Sequence, residues 1–83
     1  MRITVKLFAV LREKAGASEA VIEMAAGANV AAAVASVAEQ FPAISQLISK
    51  AALAVNREYA QPDRVLFNGD ELAILPAVSG GCP

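Results

Sequence analysis

The chain has 83 residues, 57% hydrophobic and 18% charged, with seven basic against eight acidic side chains. That is one domain with an economical core, burying ~60–65% of its unfolded surface, and a net charge of −1 with no basic stripe argues against a nucleic-acid binder. With no histidine and one cysteine, the sequence lacks the ligands of a protein-only zinc or redox-metal site, the base of a Ser–His or Cys–His nucleophile, and the partner for an internal disulfide.

Arg2-Ile3-Thr4-Val5-Lys6-Leu7-Phe8 alternates polar and apolar, which predicts a half-buried strand with Ile3, Val5 and Leu7 on one face and Thr4, Lys6 and Phe8 on the other. Ala9 to Lys14 is rich in helix formers and predicts a short helical stretch that Gly16 ends. Ser18 to Met24 reads as a second strand, returning antiparallel to the first. Gly27-Ala28-Asn29 then breaks the pattern, and Asn29 is a good N-cap for the main helix. Along that helix Val30, Val34, Val37 and Phe41 form one apolar stripe, read as core. Pro42 interrupts it, and Ile44, Leu47 and Ile48 predict a further turn or two ending near Lys50.

Leu53-Ala54-Val55 reads as a short strand, with Asn56 to Tyr59 as a turn leading into another extended piece. Pro62-Asp63 marks a loop. Asn68-Gly69-Asp70 is a strong turn signal directly before the last strand, Glu71 to Leu75. Strands bracketing one main helix predict an α+β domain, with a mixed sheet packed on that helix and the first and last strands as a central parallel pair. This is a β-grasp, ubiquitin-like arrangement over residues 1–76, followed by a flexible tail over 77–83.

The tail is the unusual part: Ala77-Val78-Ser79-Gly80-Gly81 and then Cys82-Pro83. Glycines without a Cβ can thread a narrow channel, which suits a C-terminal carboxylate delivered into another protein's active site. The plainer reading is a frayed terminus. Alternation also turns Phe8 and Leu75 away from the helix, onto adjacent strands near the tail. They form either an exposed apolar patch of the kind that marks a partner surface or scattered surface hydrophobes. No paired carboxylates suggest acid–base work, so the chain is a poor candidate for an enzyme by itself. No signal peptide precedes the first strand and no apolar run is long enough to span a membrane, which makes the cytoplasm the expected compartment.

Three segments in order carry a resemblance. They are Val5-Lys6-Leu7-Phe8-Ala9-Val10-Leu11-Arg12-Glu13, Ala54-Val55-Asn56, and Asn68-Gly69-Asp70-Glu71-Leu72-Ala73 with Leu75-Pro76-Ala77-Val78-Ser79-Gly80-Gly81. Over nearly the whole chain they resemble the ubiquitin-like sulfur-carrier family, specifically the small subunits of molybdopterin synthase. The resemblance implies that an E1-like activating enzyme adenylates the Gly81 carboxylate with ATP and magnesium, and that a sulfur donor converts the adenylate to a thiocarboxylate. The tail then enters the large subunit of the synthase, where sulfur passes to cyclic pyranopterin monophosphate. Gly80 would give clearance. Phe8, Tyr59 and Leu75 map onto the family's contact surface, with Pro76 and Val78 beside them. Arg12 matches an arginine that ion-pairs with a partner, though its ordinary reading is a solvated arginine. The resemblance implies no cofactor, nucleic acid or membrane bound by the chain itself.

The family ends at Gly-Gly, whereas this chain continues with Cys82-Pro83, and a peptide bond at Gly81 leaves no carboxylate to adenylate. One reading is a precursor from which a protease removes Cys-Pro. A second is an added or decayed ending, and a third is an N-to-S shift by the Cys82 thiol. Other functions also remain open: a carrier for a pathway such as thiamine or cysteine, a protein modifier joined through Gly81, or a β-grasp binding module with an idle tail.

Overall fold

A computed structural model describes residues 1–76. The tail expected over 77–83, with Val78, Gly80, Gly81 and Cys82, lies outside the described residues. Strand β1 (Arg2–Leu7), helix α1 (Ala9–Ala15), strand β2 (Glu19–Glu23) and helix α2 (Val30–Gln40) are followed by a 3-10 turn (Pro42–Ile44) and a one-turn helix α3 (Ser45–Ile48). Strands β3 (Ala52–Val55), β4 (Glu58–Tyr59) and β5 (Glu71–Leu75) complete the chain. The sheet order is β2-β1-β5-β3-β4. Central β1 and β5 run parallel, with Leu7 beside Ile74, and the other pairs are antiparallel. This is the predicted β-grasp.

Ile3, Val5 and Leu7 from β1, Ile22 from β2 and Leu72 and Ile74 from β5 meet Val30, Ala33 and Val37 of α2 in one buried cluster. The helix faces the core through Ala33, and Val34 and Phe41 only flank it. Val30 and Val37 of the expected stripe are buried as predicted, and Ala33 takes the central place expected for Val34. Asn29 caps α2 as expected, its Oδ1 accepting from the Ala32 N–H at 2.9 Å.

The first N–H groups of any helix lack partners within it. Here Val30 donates to the Arg64 carbonyl and Ala31 to the Pro62 carbonyl, both at 2.9 Å. Leu66 in turn donates to the Ala28 carbonyl at 2.9 Å. These bonds strap residues 62–66 across the start of α2 and drive Leu66, 1% exposed, into the core. The sequence marks only Pro62-Asp63 here, as a loop.

Among the described residues, three non-glycine residues take positive φ: Ala9 (53°), Asn56 (51°) and Arg57 (71°). Asn56 and Arg57 are the two central residues of the β3–β4 hairpin, flanked by the Val55–Glu58 pair. That is the type I′ conformation, which favours Asn-Gly. Asn56 is held there by donating from Nδ2 to Asp70 and accepting at Oδ1 from the Glu71 N–H, both at 3.0 Å. Exposed Arg57 has no such compensation. Arg57→Gly is therefore expected to stabilise the fold by up to ~1 kcal/mol, read as a higher urea midpoint at unchanged slope.

Candidate functional site: the outer sheet face and the start of the tail

The side of the sheet away from α2 is uncovered among the described residues. Its charged half carries Arg2–Glu23 at 3.2 Å and Lys6 between Glu19 at 3.8 Å and Glu71 at 3.4 Å. These exposed pairs each contribute ~0–1 kcal/mol, but they leave Lys6 neutralised. The other half is apolar. Ala73 lies between Lys6 and Ala54, Ala52 lies beside Leu75, and Tyr59 lies beside Ala54.

Phe8 continues the extended backbone one residue past β1, at φ −128° and ψ 154°, and so falls beside Leu75 in the parallel register. It is not a strand residue as expected but the N-cap of α1, its carbonyl accepting from the Leu11 N–H at 3.1 Å. Ala9, the first residue of α1 as expected, takes a positive φ and makes the corner that allows this.

Phe8 is 40% exposed and Tyr59 82% exposed, on opposite sides of the tail-bearing strand. Leu75 is half-buried, not fully outward as alternation suggested, because Phe8 and Ala52 flank it on the neighbouring strands. Spacings of about 4.8 Å between strands and 3.3 Å per residue put Tyr59 roughly 12 Å from Leu75. The three residues therefore line one face without forming one contact cluster. Arg12 lies one helical turn past Phe8, is exposed, and has no ion-pair partner among the described residues.

Two features were missed. Val21, 51% exposed on the outer face of β2, was visible in the alternation of that strand. Where β5 ends, Val10, Gln46, Leu47, Lys50 and Pro76 line an open groove of about 280 Å³. Its residues come from three distant parts of the chain, so no local pattern announced it.

Among the described residues no cluster of Cys, Asp or Glu suggests a metal site, and no helix is long and apolar enough to cross a membrane. The site is an uncovered, partly apolar face beside the strand that precedes residues 77–83 in sequence.

The model of the ThiS family matches residues 5–81. The molybdopterin synthase sulfur carrier subunit of Chlamydomonas reinhardtii is 37% identical over 83 residues, covering 98% of this chain and 100% of that protein. Its namesake in Arabidopsis thaliana is 33% identical over 81 residues, covering 98% and 84%. The crystal structure of small archaeal modifier protein 1 from Haloferax volcanii superposes with a TM-score of 0.88 at 30% identity, over 98% of this chain and 100% of that one. The complex of subunits 1 and 2 of molybdopterin-converting factor from Helicobacter pylori contains the same fold, with a TM-score of 0.68 at 21% identity over 98% and 100%. A match that opens in β1 and runs through Gly80-Gly81, with relatives alike along nearly their whole length, makes the chain a member of the ThiS family.

Proposed function

We propose that the chain is the sulfur carrier subunit of a cytoplasmic molybdopterin synthase. The observation that carries this reading is the placement of β5. The central strand of the sheet runs out beside an uncovered apolar face and continues in sequence to Gly80-Gly81. The face beside that strand gives a partner something to grip. The names of the Chlamydomonas and Arabidopsis relatives favour molybdopterin over other sulfur destinations.

In this reading Gly81 is the reacting residue. A protease removes Cys82-Pro83, an E1-like enzyme with ATP and magnesium adenylates the freed carboxylate, and a sulfur donor converts the adenylate to the thiocarboxylate. Phe8, Tyr59, Leu75 and Pro76 dock the large synthase subunit while Val78, Gly80 and Gly81 enter it, with Arg12 at the rim for an acidic partner group. Sulfur then passes to cyclic pyranopterin monophosphate. All catalytic groups belong to the partners.

The test is the intact mass of the protein isolated from its own host, with fragmentation of its C-terminus. The expected species ends at Gly81 and carries sulfur in place of one carboxylate oxygen. A population ending only at Pro83, in cells where the activating enzyme and sulfur donor are abundant, overturns the reading. The likeness to small archaeal modifier protein 1 favours a second reading, in which Gly81 is joined to lysines of other proteins. That reading predicts antibody-reactive ladders on denaturing gels.

A further inference from the structure

The groove beside the end of β5 differs in character from the sheet face. Its lip carries two aliphatic side chains, Val10 (37% exposed) and Leu47 (38% exposed), and Pro76 forms part of the wall. A single exposed aliphatic residue needs no explanation. These are gathered around one concavity, at the residue where the strand gives way to the tail. Lys50 lines the same groove, while Glu13 and Lys14 stand three and four residues beyond Val10 on the same side of α1 and offset one another. No acidic residue lines the groove, and Lys50 is not ion-paired among the described residues. On the sheet face, by contrast, Lys6 is matched by Glu19 and Glu71. The charges of the sheet face are paired, whereas the groove is apolar with one unpaired lysine.

We propose that this groove is a second contact surface for the large synthase subunit, and that it accepts an apolar side chain flanked by a carboxylate. The inference rests on the sulfur-carrier reading. Its ground is continuity with charge complementarity. A protein that encloses the tail must pass over Pro76, which belongs to the groove wall, and what it presents there meets a small apolar hollow edged by Lys50. Carrier and receiver then grip from both sides of the sheet, through Phe8 and Tyr59 on the outer face and through Val10 and Leu47 on the helical side. The two grips respond differently to salt. Screening weakens the lysine contribution and leaves the sheet-face contribution nearly unchanged.

The experiment is calorimetric titration of the full chain into the purified large subunit of the host's synthase, at low and high salt, for the native protein and for Leu47→Asp, Lys50→Met and Phe8→Asp. Thermal melts establish that each variant is folded. Lys50 is exposed and its methionine variant keeps the stem, so that variant stays informative if Leu47→Asp folds poorly. Leu47→Asp is expected to weaken binding by about tenfold or more. Lys50→Met is expected to weaken it about three- to fivefold at low salt and to have no effect at high salt. Native affinity in both groove variants at both salts, with Phe8→Asp weakened, overturns the inference and leaves the carrier reading standing. Absence of binding both by the native protein and by the chain ending at Gly81 overturns both.

Discussion

Phe8→Asp is expected to weaken binding to the large subunit by at least ~30-fold while the domain remains folded. A buried aromatic anchor at an interface contributes ≥ ~2 kcal/mol, and each 1.4 kcal/mol is about tenfold in affinity. Phe8 is suited to that role because the corner at Ala9 holds its ring beside the tail-bearing strand without enclosing it. The ring is 40% exposed, so its loss costs the fold about 1 kcal/mol, or about 4–8 °C in melting temperature for a domain of this size. Titration calorimetry and a thermal melt on the same sample read the two effects separately. Tyr59→Ala is the companion variant. At 82% exposure on an edge strand it should leave stability within about 0.5 kcal/mol, so any loss of affinity reports the interface alone. Half-buried Leu75 is the poorer choice, because a charge there also strikes the centre of the sheet.

Leu66→Ala is expected to cost about 3 kcal/mol, the scale of a fully buried leucine truncated where the surroundings cannot collapse. The strap over the start of α2 resists such collapse. Its carbonyls at Pro62 and Arg64 already hold the N–H groups of Ala31 and Val30, and the N–H of Leu66 itself is held by Ala28. For an 80-residue domain the melting temperature should fall by roughly 10–25 °C. A fall within a few degrees would mean that the strap moves with the side chain and does little to anchor α2.

The regular elements were legible because each advertised itself locally. Alternation in β1 assigned Ile3, Val5 and Leu7 to the core, Asn29 announced the start of α2, and Asn68-Gly69 announced β5. The order of the elements was enough to place β1 and β5 side by side. Features made by distant segments were not legible. Leu66 sits in a stretch without period, and its burial is decided by α2 more than thirty residues earlier in the chain. Ala33 sits in the core while Val34 only flanks it, which a scale of hydrophobicity does not register. The positive φ at Ala9, at the join of β1 and α1, is likewise invisible in a run of helix formers. At the candidate site, Phe8 and Tyr59 could be proposed from alternation and resemblance. The groove could not, because Val10, Leu47 and Pro76 meet only in the folded chain.

The central position of β5 also bears on how the protein is made. Thr4 pairs with Glu71 across almost the whole length of the chain, and among the described residues β5 is the strand that joins the β1–β2 pair to the β3–β4 hairpin. Until the ribosome has released β5, the two hairpins have no common neighbour and the core lacks Leu72 and Ile74. Synthesis at ~5–20 residues per second then leaves an interval in which the unfinished chain lacks its central strand. The outer sheet face is completed by the same strand that residues 77–83 follow in sequence. A nascent chain therefore has no finished outer face before those last residues are being made.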